Sequence, residues 1–222
     1  MTVELAESAR PVSTTRLDHL ACTTDDLLAV STAIEWARQF LGSPNSHLGR
    51  NGPVCPYIQH SFDERLLYVT CRTEERCDDD TLRAALLEAK EWFLELQKRT
   101  VEAKAHLVTV LVVLPRIDRS RAGPLDVLHA ELKDEFVGCG TMIGQFHPTC
   151  SAGGLWDPDF RPLQSPIPLL AIRDMVSSDL PFLVSNPVHA TTYFERFAPG
   201  IPPHTRRFLI SRVVGTLNHN LR

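Results

Sequence analysis

Two short segments hold residue types from which a binding or catalytic centre could be built. In Gly144-Gln-Phe-His-Pro148 a single histidine closes an apolar, strand-like run that includes Met142, Ile143 and Phe146. An imidazole can ligate a metal, move a proton or hydrogen-bond within a core. Phe146 and Pro148 offer no proton relay, and no His or Glu stands three or four residues away, which removes the paired zinc-hydrolase pattern. A lone histidine in apolar surroundings suits haem iron, whose four equatorial positions the porphyrin fills, so His147 is a candidate metal ligand. The plainer alternative is a partly buried histidine bonded to a carbonyl. In the second segment, Cys55 precedes Pro56, which pushes it toward an extended conformation able to aim a thiolate into a cavity. Thiolate ligation of haem is the functional reading, and a cysteine that plugs the core is the bland one.

A Pro-rich stretch with Pro148, Pro158, Pro162, Pro166 and Pro168 follows His147. Connections longer than about 12–15 residues without secondary structure are usually functional or disordered. This one carries Trp156, Phe160, Leu163 and Ile167, too apolar for a solvated linker, and reads as the wall of a site. Arg161 lies within it, and Arg173 follows the apolar Leu169-Leu-Ala-Ile172. A guanidinium in such surroundings needs an anion, either the carboxylates of a cofactor or substrate or an internal partner such as Asp159, Asp174 or Asp179. Trp156 either lines the pocket or anchors the loop. Cys139, His147 and Cys150 have metal-ligand chemistry but match no standard zinc spacing. A mononuclear non-haem site would need His147 with carboxylates such as Asp157 or Asp159, or a distant His60, His106, His129 or His189. Nucleophile elbows, phosphate loops and dinucleotide fingerprints are absent.

Gly52-Pro-Val-Cys-Pro-Tyr57, Thr141-Met-Ile-Gly-Gln-Phe-His-Pro148 and Phe160-Arg-Pro-Leu-Gln-Ser-Pro-Ile-Pro-Leu-Leu-Ala-Ile-Arg173 together resemble an actinobacterial domain family of natural-product gene clusters, over residues 48–183. More distantly, the order Cys-Pro-aromatic, His-Pro, then Arg and Pro is similar to the YqcI/YcgG-type haem proteins, among them haem-dependent N-hydroxylases of arginine-like amino acids. The resemblance implies a haem-dependent oxidoreductase acting on a small amino-acid-derived metabolite. Cys55-Pro56 would correspond to that family's early Cys-Pro and His147 to its iron ligand, with Arg161 or Arg173 beside the propionates. Tyr57 stands where that family usually has Phe, and residues 149–156 replace its Arg-rich run, so a guanidine preference is not carried over. The alternative is a cofactor-free small-molecule-binding or accessory protein.

The whole chain sets bounds on these readings. Its 222 residues suit one domain with a terminal extension, here a flexible arm over 1–24 and a single domain over 25–222. A net charge of −4 gives no electrostatic reason for nucleic-acid or anionic-membrane binding. No apolar run approaches the roughly 20 residues of a membrane span, and no signal-peptide pattern opens the chain, so a cytoplasmic protein is expected. Six cysteines without a Cys-x-x-Cys pair read as reduced thiols.

The elements that must position the candidates follow from periodicity. Val30, Ile34, Ala37 and Leu41 predict a helix ending at Gly42, with Gly42 at the C′ position. Residues 66–71, 106–114 and 140–147 read as strands, with 106–114 buried on both faces. Asp78-Asp-Asp80 predicts a helix start, and Pro124 opens another whose stripe is Leu125, Leu128, Leu132 and Phe136. Segments 168–176, 189–197 and 203–219 read as helices. The expected class is α+β, a small sheet flanked by helices with a helical C-terminal third, with α/β as the alternative. An exposed sheet edge would permit a homodimer.

Overall fold

Apolar and β-branched runs too short for helices make the sheet. The computed structural model describes residues 15–17, 22–77 and 80–220. Strands β1 (Thr15–Leu17), β2 (Leu67–Cys71), β3 (Thr109–Val113), β4 (Thr141–Phe146) and β5 (Leu169–Asp174) form one mixed sheet in the order β1-β2-β3-β5-β4. β1, β2 and β3 are parallel, and β5 runs antiparallel to both β3 and β4. Every residue of β3 is buried, as a continuous apolar run between two layers should be.

Seven α-helices are described: α1 (Thr24–Trp36), α2 (Ile58–Asp63), α3 (Asp80–Arg99), α4 (Glu102–Ala105), α5 (Pro124–Gly138), α6 (Pro187–Phe197) and α7 (Pro203–Asn220). Val110, Val112 and Ile172 pack with Leu82, Leu86 and Phe93 of α3 and with Leu125, Leu132 and Phe136 of α5. Leu111, Val113 and Leu169 on the opposite face pack with Ala29, Val30 and Ala33 of α1 and with Ile58 and Phe62 of α2. A smaller cluster joins Met142 and Met175 to Tyr193 of α6. The architecture is α+β. Among the described residues, no helix is long and apolar enough to cross a membrane.

Three local expectations change. Residues 168–176 form β5 rather than a helix, because its residues are buried on both sides of the sheet and a short two-sided apolar run has no diagnostic period. Thr15–Leu17 pairs with β2 inside the segment expected to be a loose arm, while 1–14 and 18–21 lie outside the described residues. Asp78 and Asp79 of the expected N-cap run also lie outside them. Gly42 does end the first helical stretch, after a π-helical turn at Ala37–Leu41, but with φ −80°. It is there for space: a Cβ would meet the carbonyl oxygen of Arg38 at 2.4 Å.

The topology also fixes where a site can form. Since β5 opposes both neighbours, β3 and β4 point the same way. The start of α5 and the loop after β4 therefore meet at the carboxyl ends of those strands, where open α/β sheets bind ligands. At that end, buried Asp26 near the start of α1 accepts from Arg116 Nη2 at 3.0 Å and from Thr23 N at 2.9 Å. The Arg116 hydrogen bond, helped by that backbone N–H, holds the Asp26 carboxyl down at about 2. α1 is thereby tied to the segment leaving β3.

Candidate functional site

β4 and β5 are paired from Phe146↔Leu169 onward, so residues 147–168 form a single hairpin connection. Common hairpin loops have about 2–5 residues, and one this long that is ordered belongs with functional loops. Its first residue is His147, wholly buried. The imidazole Nε2 lies 3.1 Å from Asp126 Oδ1, and Nδ1 lies 3.1 Å from Thr149 Oγ1. Gln145 Nε2 donates to the same Asp126 oxygen at 2.9 Å. A carboxylate accepting at Nε2 makes that nitrogen the N–H, with the Thr149 hydroxyl donating to Nδ1.

Asp126 occupies the first turn of α5, which begins at Pro124. Its Oδ2 has no partner among the described residues. Cys150, also buried, completes the group: one ligand-type atom from each of Asp126, His147 and Cys150 lies within 4.8 Å of the others. Burial pushes the Cys150 thiol up, and the backbone N–H of Ala152 only partly opposes this. A thiol held protonated is a poor nucleophile, which argues against a Cys-His-Asp acyl-transfer triad.

Beside the cluster lies an open groove of about 480 Å³ lined by Phe40, His47, Asp157, Asp159, Phe160, Arg161 and Gln164. Gln164 connects the two, donating from Nε2 to the Cys150 carbonyl at 3.2 Å. One groove wall is aromatic: Phe40 and Phe160 are 6.2 Å apart, and His47 stacks on Phe160 at 5.6 Å. His47 also pairs with Asp157, and that hydrogen bond, with one from the Asp159 backbone, lowers the Asp157 pKa. Arg161 donates only to backbone carbonyls, those of Pro158 and Phe160, through Nη1. Among the described residues it has no carboxylate partner, and the Asp159 carboxylate has no cationic one.

The five residues expected to surround a cofactor are dispersed. His147 has both nitrogens engaged, Nε2 with Asp126 and Nδ1 with Thr149. Arg173 lies on β5 and pairs bidentately with Asp179, at 2.7 and 2.6 Å, so it is not free for propionates. Cys55 packs against the α1–α2 core and donates its backbone N–H to the Leu41 carbonyl. Trp156 is 73% exposed and anchors the loop against Gly49 rather than lining a pocket. Only Arg161 faces the groove. Asp157 and Asp159, weighed as metal ligands, line the groove instead of reaching His147. Sequence reasoning missed Asp126 and His47. The only available signal was that Asp126 falls in the first turn after Pro124, and nothing in the spacing ties it to His147.

Gly49 packs against Trp156 of the 147–168 loop. It has φ +62°, and a Cβ there would sit 2.5 Å from Trp156 Cγ. Gly49→Ala will therefore destabilise the chain by about 2 kcal/mol through left-handed strain and collision with a rigid indole. Urea denaturation measures the loss as a lowered midpoint. An unchanged midpoint would show that the indole yields freely.

A family model described as Domain of unknown function (DUF6875) matches residues 30–208. No curated protein matches the chain. No solved structure matches it either.

Proposed function

The chain belongs to the DUF6875 family, whose description names no activity, and from its own groove we propose that it binds a small amino-acid-like metabolite. The supporting observation is the guanidinium of Arg161, which lines a half-aromatic groove and pairs with no carboxylate among the described residues. Arg offers a planar fork suited to a carboxylate, and its Nε and Nη2 make no hydrogen bond among the described residues. Asp159 supplies a lone negative charge in the same groove for an ammonium group, and Phe40 and Phe160 supply apolar surface for a side chain. This is the binding-protein reading of the motifs. The haem-dependent oxidoreductase they also suggest would require His147 Nε2 to exchange its hydrogen bond with Asp126 for iron. All six cysteines are free, which fits a reducing, cytoplasmic setting.

Titration calorimetry with L-phenylalanine, phenethylamine and 3-phenylpropionate tests the reading. The zwitterion should bind best of the three. Arg161→Gln should weaken it about tenfold or more, the loss expected for a charge-assisted hydrogen-bonding pair. Equal affinity for all three compounds, or an Arg161→Gln protein that binds L-phenylalanine unchanged, would remove the proposal.

A further inference from the structure

We propose that Asp126, His147 and Cys150 form a binding site for one zinc ion, adjoining the groove. With bonds of about 2.1 Å to nitrogen and oxygen and about 2.3 Å to sulfur, tetrahedral ligands stand roughly 3.4–3.6 Å apart. The observed group has a nitrogen–oxygen separation of 3.1 Å and no ligand separation above 4.8 Å. Shifts of about an ångström or less per side chain would close it.

A carboxylate and a thiolate together neutralise a divalent cation, so the buried centre carries no net charge and escapes the cost of an isolated buried ion. The mixture of sulfur, imidazole and carboxylate selects against magnesium and calcium, which prefer all-oxygen sites. Zinc entry needs no redox step. The Cys150 S–H bond breaks, its proton leaves to solvent and the sulfur pair forms the bond to zinc. The imidazole proton moves from Nε2 to Nδ1, which then donates to Thr149 Oγ1, and Nε2 binds the ion.

A supporting shell surrounds the three ligands. Thr149 orients the imidazole, Gln145 orients Asp126, and the Ala152 N–H addresses the sulfur. Such outer contacts are the usual companions of metal ligands. Three protein ligands leave a fourth position for water or substrate, the arrangement of catalytic rather than structural zinc. Asp126, whose side chain is 40% exposed, marks the open side. A zinc-bound water at that position would serve hydrolysis or hydration of a molecule held in the neighbouring groove.

The test uses the full chain, stripped with chelator and titrated with cobalt(II) and with zinc(II). One equivalent of zinc should survive dialysis, measured by elemental analysis. Cobalt should give a thiolate-to-metal charge-transfer band that disappears in Cys150→Ser. Thr149→Ala keeps all three ligands and should weaken zinc binding about tenfold or more through lost orientation. Asp126→Asn, isosteric and partly exposed, should weaken it further, with circular dichroism confirming the fold. No stoichiometric retention would overturn the site. So would a charge-transfer band that persists in Cys150→Ser, since another thiol would then be the ligand. Neither readout depends on amino-acid binding, so failure of the groove reading leaves this result separate.

Discussion

Asp179→Ala will cost about 3 kcal/mol of folding stability, near the lower end for breaking a buried ion pair by removing one partner. Asp179 accepts both guanidinium nitrogens of Arg173, at 2.7 and 2.6 Å, and the backbone N–H of Val176 at 2.8 Å. Its side chain is 2% exposed and that of Arg173 is 27% exposed. Burial opposes the Arg173 charge, and the hydrogen bonds and charge of Asp179 outweigh it; with that carboxylate gone the guanidinium still keeps its proton, because arginine is effectively always protonated. Removing the carboxylate strands that charge on β5 and leaves the Val176 N–H unmatched. The partial exposure of Arg173 admits water and keeps the cost from the top of the range. Urea denaturation should show a lower midpoint at unchanged slope. Arg173→Met should be comparably damaging, and the double change to Asp179→Leu and Arg173→Met should recover much of the loss, since a well-packed apolar pair often replaces a buried ionic one. A single-variant cost below about 1 kcal/mol would mean the pair is solvated like a surface bridge, reopening Arg173 as a ligand-binding residue.

The second large effect is expected at Phe136. Phe136→Ala should destabilise by about 4 kcal/mol, within the range for deleting a buried aromatic ring. The ring is fully buried between α5 and the sheet, with Lys90 Nζ 5.8 Å from its centroid. Its carbonyl also accepts the Thr141 hydroxyl at 2.7 Å, which fixes the end of α5 against the start of β4. His129 adds a bond from Nε2 to the Ile143 carbonyl at 3.0 Å, and burial lowers its pKa, which favours the neutral ring as donor. These contacts hold Asp126 over His147. The variant should therefore lose zinc affinity as well as stability, whereas Val127→Ala, on the exposed side of the same helix, should change neither. Denaturation midpoints and metal titration read the two effects separately. A Phe136→Ala protein of unchanged stability would contradict the packing described.

Much of the frame was legible because burial imposes a period. The stripe Leu125, Leu128, Leu132 and Phe136 has only one helical solution, and Val110 to Val113 suits a strand covered on both sides. Pro124 and Gly42 punctuate helices for steric reasons that neighbours do not alter. The same reasoning failed at 168–176, where Leu169, Leu170 and Ile172 face two different cores and leave no alternation to read.

The chemistry divides along the same line. Residue types and loop composition alone marked His147 as a buried histidine at the start of a long ordered connection, and Arg161 as a cation in need of an anion. They could not say which carboxylates the histidine and Arg173 would meet. Asp126 reaches His147, and Asp179 reaches Arg173, because strand order and helix placement bring them there. The insertion of β5 between β3 and β4 sets the start of α5 beside the loop after β4, and no local pattern encodes which strand pairs with which. Composition and periodicity thus determined the elements and the reactive groups they carry. Partner choice was decided only in three dimensions, because a hydrogen bond or ion pair depends on an ångström-scale separation that the chain sets only after its long-range pairings have formed.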